Sequence, residues 1–274
     1  MTIFQAVVLG IVQGLTEFLP VSSSAHLVLV PWWLGWSWDP DVTFTFDVLV
    51  QLGTLVGVIV FFARDLLGLV IGAWNGLLRR QPFETPEARR AWFIILATFP
   101  AVIAGLAFKE SVERAFASPT ATSAFLLVTA AILLVSERLA RSERSLESMT
   151  WREALWIGVA QAASLFPGVS RSGATIGAGR ALGFRRQEAA HFSFLMSVPV
   201  MLGAGVLAAK DFASMSDPAA HALPLLTGFV AAAIVGYLSI RWMLAFVGRH
   251  PLTAFAVYCV VVGLAGLATS LLRG

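Results

Sequence analysis

The sequence predicts an all-α polytopic membrane protein with an inverted-topology repeat, in which each unit is a re-entrant helical hairpin followed by three transmembrane helices. Three observations predict it: an apolar composition, six apolar runs long enough to cross a bilayer, and two further runs broken in the middle. Of the 274 residues, 58% are hydrophobic and 13% charged, against about 45–50% and 25% in typical globular chains. Because the basic residues lie between apolar runs and the single cysteine, Cys259, lies inside one, we expect neither nucleic-acid binding nor a disulfide framework.

Six segments have the length of about 17–25 residues that a membrane-crossing helix requires. Two charged connectors, 79–90 and 138–152, are expected to be solvated. An amphipathic stretch near 66–78 either lies along the membrane interface or continues the preceding span. The six predicted spans are 42–63, 91–108, 121–137, 189–208, 223–246 and 252–272.

Two further apolar stretches, 3–36 and 153–184, are interrupted by proline and small polar residues at 20–24 and 167–173. Proline breaks the hydrogen-bond ladder of a helix, and neither half of either stretch spans a bilayer comfortably. Backbone groups freed by such a break are costly in hydrocarbon unless they are buried in protein or face a polar cavity. We therefore interpret both stretches as re-entrant hairpins that return to the side from which they entered.

The positions of the basic residues test this layout. If both hairpins return to their own side, 13 of the 19 Lys and Arg residues fall in segments on one face. The positive-inside rule makes that face cytoplasmic and puts both termini outside, whereas a full span in place of either hairpin would largely remove the asymmetry. The cytoplasmic segments are then Arg64 to Arg90, Arg138 to Arg152, Arg185–Arg186 and Arg241 to Arg249, and the outer face has Lys109, Arg114, Lys210 and Arg273.

A hairpin followed by three spans occurs twice, in repeats of about 1–140 and 150–274 within a single membrane domain. Because three crossings are an odd number, the second repeat is inverted relative to the first. A short echo agrees, since Gln13 before the first break corresponds to Gln161 before the second, and Phe and Leu directly precede the proline in both. In inverted repeats with broken helices, the breaks point to the binding site.

Three ionisable side chains, those of Glu17, His26 and Arg171, lie within a few residues of the breaks. A charged residue at mid-depth costs about 2.5–3.5 kcal/mol on insertion scales, which makes each a functional candidate. Helical spacing puts Gln13 and Glu17 on one face, and it puts Ser23 and His26 on one face of the half-helix that follows the break.

Hydroxyl and glycine residues surround Arg171 at the second break, again at the start of a half-helix. In the first break, Ser22 or Ser23 can cap the resumed helix and leave its first amides free. Two helix N-termini from opposite leaflets together with a guanidinium predict an anion site that suits phosphate. The residues around the arginine are Ser170, Ser172 and Thr175, with Gly168 and Gly173 permitting close backbone approach.

The other side chains at the breaks indicate phosphoryl chemistry. Glu17 can hold a divalent cation that bridges to phosphate oxygens, because hard cations prefer oxygen ligands. A nearby serine and histidine provide a nucleophile with a base, or a general acid for a leaving group. The structural alternatives are that the serines only join helices, that His26 only supports the fold, and that Glu17 and Arg171 only pair with each other.

At these residues the chain resembles a known family, the bacterial undecaprenyl-diphosphatases linked to bacitracin resistance. Gln13 to Glu17 is similar to the family's E/Q-x-x-x-E motif and leads directly into the serines and His26 of the first break. Pro167 to Thr175 is similar to its second motif, P-G-x-S-R-S-G-A-T. Gln51-Leu52-Gly53 and His191 to Leu195 also look like the family, and the match covers essentially the whole chain.

The resemblance implies a hydrolase that removes the terminal phosphate of undecaprenyl diphosphate, giving the monophosphate carrier needed for peptidoglycan and other envelope polymers. It implies dependence on a divalent cation, Mg²⁺ or Ca²⁺, and a place in the bacterial cytoplasmic (inner) membrane with the site facing the periplasm. The implied partners are a prenyl diphosphate lipid and the membrane lipids. The oligomeric state stays open, with a homodimer among the options.

By motif match, Glu17 would handle metal or phosphate and Arg171 would hold the diphosphate. Ser23, His26 or water on the metal would attack the phosphorus, with Ser23 and His26 as a nucleophile and base in the first case. One departure is Gln13, which stands where many members have glutamate; its amide oxygen can still ligate a cation, but we expect weaker metal binding. Further substrate-binding candidates are Ser22, Ser170, Ser172, Gly173, Thr175 and Gln51.

A transporter or flippase for an anionic lipid, such as a prenyl phosphate, is the alternative from another functional class. The inverted repeat suits such a protein. A transporter needs the anion pocket but no serine and histidine beside it, so Ser23 and His26 favour catalysis.

Overall fold

The computed structural model describes residues 1–140, 142–213 and 218–273, and the side chains of 207–220, Lys210 among them, lie outside the description. Over the described ranges the chain forms twelve α-helices and no β-strand. The helices are α1 Ile3–Thr16, α2 Ser23–Leu34, α3 Pro40–Phe61, α4 Ala63–Leu78, α5 Pro86–Ala107, α6 Lys109–Phe116, α7 Pro119–Leu139, α8 Trp151–Ala163, α9 Arg171–Ala181, α10 Arg186–Ala213, α11 Pro218–Val247 and α12 Thr253–Arg273.

Among the described residues, six helices are long and apolar enough to cross a bilayer, which confirms the predicted all-α polytopic membrane protein. Their bounds agree with the predicted spans to within a few residues. The differences arise at the ends, because a polar cap outside the apolar run starts the helix. Thr85, for example, accepts a hydrogen bond from the Ala88 amide (3.1 Å), so α5 begins before its apolar run. The six are Pro40–Phe61, Pro86–Ala107, Pro119–Leu139, Arg186–Val206, His221–Val247 and Thr253–Arg273.

The amphipathic stretch predicted near 66–78 forms a helix of its own, α4. Phe62 departs from helical geometry (φ −100°, ψ 22°), so that α4 is not a direct continuation of α3. α4 packs on α5 and leaves apolar side chains exposed, with Leu67, Val70 and Trp74 among them. Such an exposed face is typical of a helix that lies in the membrane interface.

The two charged connectors are more ordered than the sequence predicts. The first, 79–90, is partly helical because α5 begins inside it. In the second, Arg144 exchanges backbone hydrogen bonds with the residues on either side of Phe184, and its guanidinium donates to Glu153 at 2.6 Å. The expectation that 138–152 is merely solvated is therefore wrong, because this connector ties the end of α9 to the start of α8.

Both predicted breaks interrupt the helices. α1 ends at Thr16 and α2 begins at Ser23, while α8 ends at Ala163 and α9 begins at Arg171. These four helices have 11 to 14 residues, fewer than the roughly 17–25 that a spanning helix needs. The two helices of each pair contact each other.

Small residues hold the two broken segments against neighbouring spans. Gly10 on α1 meets the backbone at Gly228 on α11, and Gly158 on α8 meets the backbone at Ala97 on α5. A Cβ atom at either glycine would collide with a carbonyl oxygen of the partner helix, so this approach requires glycine. α11 also packs on α3, and α7 contacts both α9 and α12. Together these contacts bring the two breaks to one place.

Candidate active site

The first break turns at Ser22, whose backbone has a positive φ of 66°. A non-glycine residue in such a conformation costs about 1–3 kcal/mol and persists only where its surroundings hold it. The Ser22 hydroxyl caps α2 by accepting from the Ala25 amide (3.4 Å), and it accepts from the Gly168 amide across the site (3.1 Å). Ser23 then occupies the first position of α2.

The second break turns at Gly168, where φ is 105°. Its carbonyl accepts from the Thr129 hydroxyl (2.7 Å), and the same hydroxyl accepts from the Ser170 amide (2.9 Å). Ser170 caps α9 by accepting from the Gly173 amide (3.0 Å). Arg171 occupies the first position of α9. The break therefore depends on α7 for its shape.

The two breaks contact each other through hydrogen bonds in both directions. The Gly168 amide donates to Ser22, and the Ser172 hydroxyl donates to the Leu19 carbonyl oxygen at 2.8 Å. Ser22 and Ser172 are both buried, so water does not compete for these bonds. The contact brings the first residue of α2 and the first residue of α9 to the same carboxylate, that of Glu17.

The Glu17 carboxylate is the centre of the site. Its Oε1 accepts from Arg171 Nη2 at 3.0 Å, and its Oε2 accepts from Ser23 Oγ at 2.6 Å and from Gln13 Nε2 at 2.9 Å. The side chains of Glu17 and Arg171 are only 4% and 12% exposed. The 2.6 Å contact aligns the Ser23 proton with the carboxylate as a potential acceptor.

The Arg171 guanidinium is held on its other side by α10. Nη1 donates to the Ser193 carbonyl oxygen at 3.2 Å. Thr175 reinforces this contact, because its hydroxyl donates to the Arg171 carbonyl oxygen (2.7 Å) and lies 2.7 Å from the Ser193 hydroxyl. The Arg171 guanidinium is thus oriented toward Glu17 by α9 and α10.

His26 is buried at 6% exposure, and each of its ring nitrogens has a partner. Nδ1 lies 2.7 Å from the Ser22 carbonyl oxygen, and Nε2 lies 2.7 Å from the Tyr258 hydroxyl on α12. Neither nitrogen contacts the Ser23 hydroxyl, which donates to Glu17 instead. The predicted pairing of Ser23 with His26 as its base is therefore not formed, because a shared helix face does not decide where the imidazole points.

Gln13 and Gln51 enter the site differently. The Gln13 amide donates to Glu17 and lies 3.5 Å from the Thr54 hydroxyl of α3. Gln51 takes part through its backbone carbonyl, which accepts from Thr54 at 2.7 Å. Within the described part of the chain, its side chain forms no hydrogen bond to the other candidate residues. Gln51 is thus linked to the other candidates through its main chain and Thr54, and not through its side chain.

The sequence matches the family model described as bacitracin resistance protein BacA over residues 6–265. The chain belongs to the BacA family. Three similar relatives are each named undecaprenyl-diphosphatase. The protein from Rubrobacter xylanophilus is 46% identical over 93% of this chain and 94% of its own, that from Gemmatimonas aurantiaca 44% over 98% of both, and that from Myxococcus xanthus 42% over 96% and 87%. The family inferred from the two motifs is confirmed.

Two oxygen-bearing side chains of this BacA-family site suit a divalent cation. Gln13 Oε1 is buried and has no hydrogen-bond partner among the described residues, and Glu17 supplies a carboxylate. Mg²⁺ is usually bound through one or two carboxylates together with waters and substrate phosphates. No group of three or more His, Cys, Asp and Glu side chains arranged for a metal occurs in the described ranges. The donor set therefore fits a cation shared with a phosphate ligand better than a self-contained metal site.

Three residues that build this BacA-family site were missed by the sequence analysis: Thr129, Ser193 and Tyr258. Thr129 is a polar residue inside a predicted span, and Ser193 lies in the His191 to Leu195 stretch that resembles the family, so both carried a signal. Tyr258 carried none, because a tyrosine in an apolar helix is typical of an interfacial anchor.

Proposed function

We propose that this BacA-family protein hydrolyses undecaprenyl diphosphate to undecaprenyl phosphate and inorganic phosphate, at the place where its two broken segments meet. The product is the lipid carrier for peptidoglycan and other envelope polymers, and its recycling accounts for bacitracin resistance. Family membership and the names of the relatives support the substrate. One observation carries the proposal: the Glu17 carboxylate lies between a hydroxyl, Ser23 Oγ at 2.6 Å, and a guanidinium, Arg171 Nη2 at 3.0 Å.

In the first step, Ser23 Oγ attacks the terminal phosphorus and its proton passes to Glu17 Oε2. The bond from phosphorus to the bridging oxygen breaks, and the lipid monophosphate leaves with the electron pair. Protonation of Glu17 removes the negative charge that faces Arg171, which frees the guanidinium to stabilise charge on the transferring phosphoryl group. Glu17 thus couples the two breaks, because the same proton transfer activates the hydroxyl and releases the cation.

In the second step, water attacks the phosphoserine. The bond from phosphorus to Ser23 Oγ breaks, and this oxygen takes back the proton that Glu17 holds. His26 receives the proton of the attacking water at Nε2, since Nδ1 is bound to the Ser22 carbonyl oxygen. Inorganic phosphate takes up the proton from His26 Nε2 as it departs, and the side chains return to their starting protonation states.

Gln13 and Glu17 would hold the divalent cation, Mg²⁺ or Ca²⁺, through their side-chain oxygens. When bound, such a cation supplies positive charge to the phosphate oxygens of the diphosphate. The buried Gln13 Oε1 without a partner among the described residues supports this role. A glutamine in this place supplies one negative charge fewer than a glutamate and binds the cation more weakly.

We further propose that both broken segments are re-entrant and that the two repeats are inverted. Corresponding helix pairs support this, since α1 packs on α11 as α8 packs on α5, and α3 packs on α11 as α10 packs on α5. The excess of arginine on one face supports an inner-membrane protein with that face cytoplasmic. The resemblance to the family supports a site that opens to the periplasm.

Phosphate release by the purified full-length protein tests the proposal. In detergent, with farnesyl or undecaprenyl diphosphate, we expect release that stops with a chelator and returns with added Mg²⁺ or Ca²⁺. Absence of phosphate release from the wild type would overturn the proposed hydrolase activity. Transfer of prenyl phosphate across liposomes without any release would support the transporter alternative instead.

A further inference from the structure

The geometry around His26 determines which nitrogen carries its proton. The Ser22 carbonyl oxygen can only accept, so Nδ1 at 2.7 Å must be protonated. In the neutral imidazole, Nε2 then accepts from the Tyr258 hydroxyl at 2.7 Å. In the imidazolium, Nε2–H donates to the same oxygen. A phenolic hydroxyl is both donor and acceptor, so Tyr258 can hold the ring in both protonation states.

Tyr258 contributes little to packing. It is 43% exposed, and its neighbours Val257 and Val261 on α12 are 58% and 61% exposed. Its ring nevertheless stacks on the His26 ring, with centroids 5.7 Å apart and planes 14° apart. A lipid-facing residue thus reaches a side chain that is only 6% exposed. No other described side chain bonds to Nε2.

The neighbouring residue strengthens the placement of Tyr258. Cys259 is fully buried, and its thiol lies 3.7 Å from the carbonyl oxygen of Pro20 in the first break. Two consecutive residues of α12 therefore dock on the first broken segment, one on its turn and one on its histidine. This docking keeps the Tyr258 hydroxyl at a defined position beside the site.

We propose that Tyr258 is a functional residue of this site, which positions His26 and relays the proton between Nε2 and the water that hydrolyses the phosphoserine. The inference rests on the proposed function. The phenol gives its proton to Nε2 as it takes one from the attacking water, and the hydroxide formed bonds to phosphorus. The bond from phosphorus to Ser23 Oγ breaks, and Glu17 returns the proton to that oxygen. The reverse relay delivers the proton on Nε2 to the departing phosphate, so the net reaction consumes one water.

The test uses Tyr258→Phe, which removes the hydroxyl and keeps the stacked ring. The matched control is Tyr237→Phe, because Tyr237 is also partly exposed in a membrane helix, its ring packs on Phe61 (5.5 Å), and its hydroxyl bonds to none of the described site residues. Both full-length variants are assayed for phosphate release and for phosphorylated Ser23 by peptide mass spectrometry after a short reaction. The ¹⁵N signals of His26, assigned by their loss in His26→Gln, report the tautomer.

We expect kcat of Tyr258→Phe to fall about 10²-fold, as for a lost acid–base group, with KM changed less than about threefold. We also expect phosphorylated Ser23 to accumulate and the His26 Nε2 signal to shift, while Tyr237→Phe behaves as the wild type. A wild-type kcat with no trapped phosphoserine would overturn the inference, as would a raised KM with an unchanged kcat. If the wild type releases no phosphate, the proposed function fails, and an unchanged His26 signal in Tyr258→Phe would separately overturn the positioning role.

Discussion

The first broken segment carries a carboxylate, a hydroxyl and an imidazole between Glu17 and His26, whereas the second carries one guanidinium among hydroxyls that bond to backbone groups. Both resume as a helix with a serine cap. The first position of the resumed helix is Ser23 in one and Arg171 in the other. Both residues donate to the same carboxylate, that of Glu17.

The comparison shows two broken segments with a similar backbone design and different chemistry. In each, the break places the start of a helix at the contact between the two segments. Under the proposed function, the first segment supplies the nucleophile and its proton acceptor, and the second supplies the positive charge. Four predictions test this division of labour, from the largest expected effect to the smallest.

Removing the hydroxyl at the first position of α2 should have the largest effect. We expect Ser23→Ala to lower kcat by about 10³-fold or more, as in other nucleophilic hydrolases, because it removes the proposed attacking oxygen. Phosphate release measures the effect. The matched control is Ser136→Ala, which removes a buried hydroxyl that donates to the Leu133 carbonyl oxygen on its own helix. A residual rate above one tenth of the wild type would show that water or His26 attacks instead.

Removing the charge of Arg171 should lower both activity and stability, and a second substitution at Glu17 should restore only the stability. We expect Arg171→Ala to lower kcat by about 10²–10³-fold, as for a lost electrostatic stabiliser. We also expect it to lower the free energy of unfolding by about 3–5 kcal/mol, because the buried Glu17 carboxylate loses its partner. The double variant Glu17→Gln with Arg171→Ala should regain most of the stability and none of the activity. Regained activity in the double variant would contradict a catalytic role for the pair.

Replacing Gln13 by glutamate should change the metal dependence of activity, whereas the same replacement of Gln161 should not. Gln13→Glu puts a second carboxylate beside Glu17, so that the cation becomes both better bound and more necessary. We expect the Mg²⁺ concentration for half-maximal activity to fall about tenfold, equivalent to about 1.4 kcal/mol. Gln161→Glu, at the corresponding position of the second segment, is the control and should leave the metal dependence of the remaining activity unaltered. A similar change in both variants would contradict a cation site at Gln13.

Removing a bond between the segments should have the smallest effect. We expect Ser172→Ala to lower the free energy of unfolding by about 1–2 kcal/mol, since it deletes the hydrogen bond to the Leu19 carbonyl oxygen and the contact of 3.1 Å with the Ser170 hydroxyl. Turnover should change only a few-fold, because the contact between Gly168 and Ser22 remains. Thermal unfolding in detergent and phosphate release measure the two effects. A loss of activity as large as that of Arg171→Ala would assign Ser172 to phosphate binding itself.

The membrane-spanning helices could be predicted because their signal is local. Apolar runs of sufficient length have few other stable forms in a bilayer. Proline followed by serine residues predicted both breaks. The ends of the helices were harder to predict, because capping residues such as Thr85 lie outside the apolar runs. The connector around Arg144 was misjudged because its backbone contacts beside Phe184 join segments about 40 residues apart, and its ion pair with Glu153 forms only once those segments are placed.

The position of the candidate site could be predicted from the sequence, but the hydrogen bonds among its side chains could not. Spacing correctly put Gln13 and Glu17 on one face, where they form a hydrogen bond. The same argument suggested Ser23 with His26, yet Ser23 bonds to Glu17 across the turn. Spacing along a helix does not report the direction of a side chain at a break, where the backbone of Ser22 is left-handed.

By itself, the sequence determined the membrane class, the six spans, the two breaks and the family, because hydrophobicity, proline and motif residues act through the chain near them. Only the tertiary structure decided that Arg171 and Ser23 share the carboxylate of Glu17 and that His26 faces Tyr258. Those contacts join residues that are up to 232 positions apart. They exist because glycine-mediated helix packing brings distant segments within hydrogen-bond distance, and no local pattern encodes such a meeting.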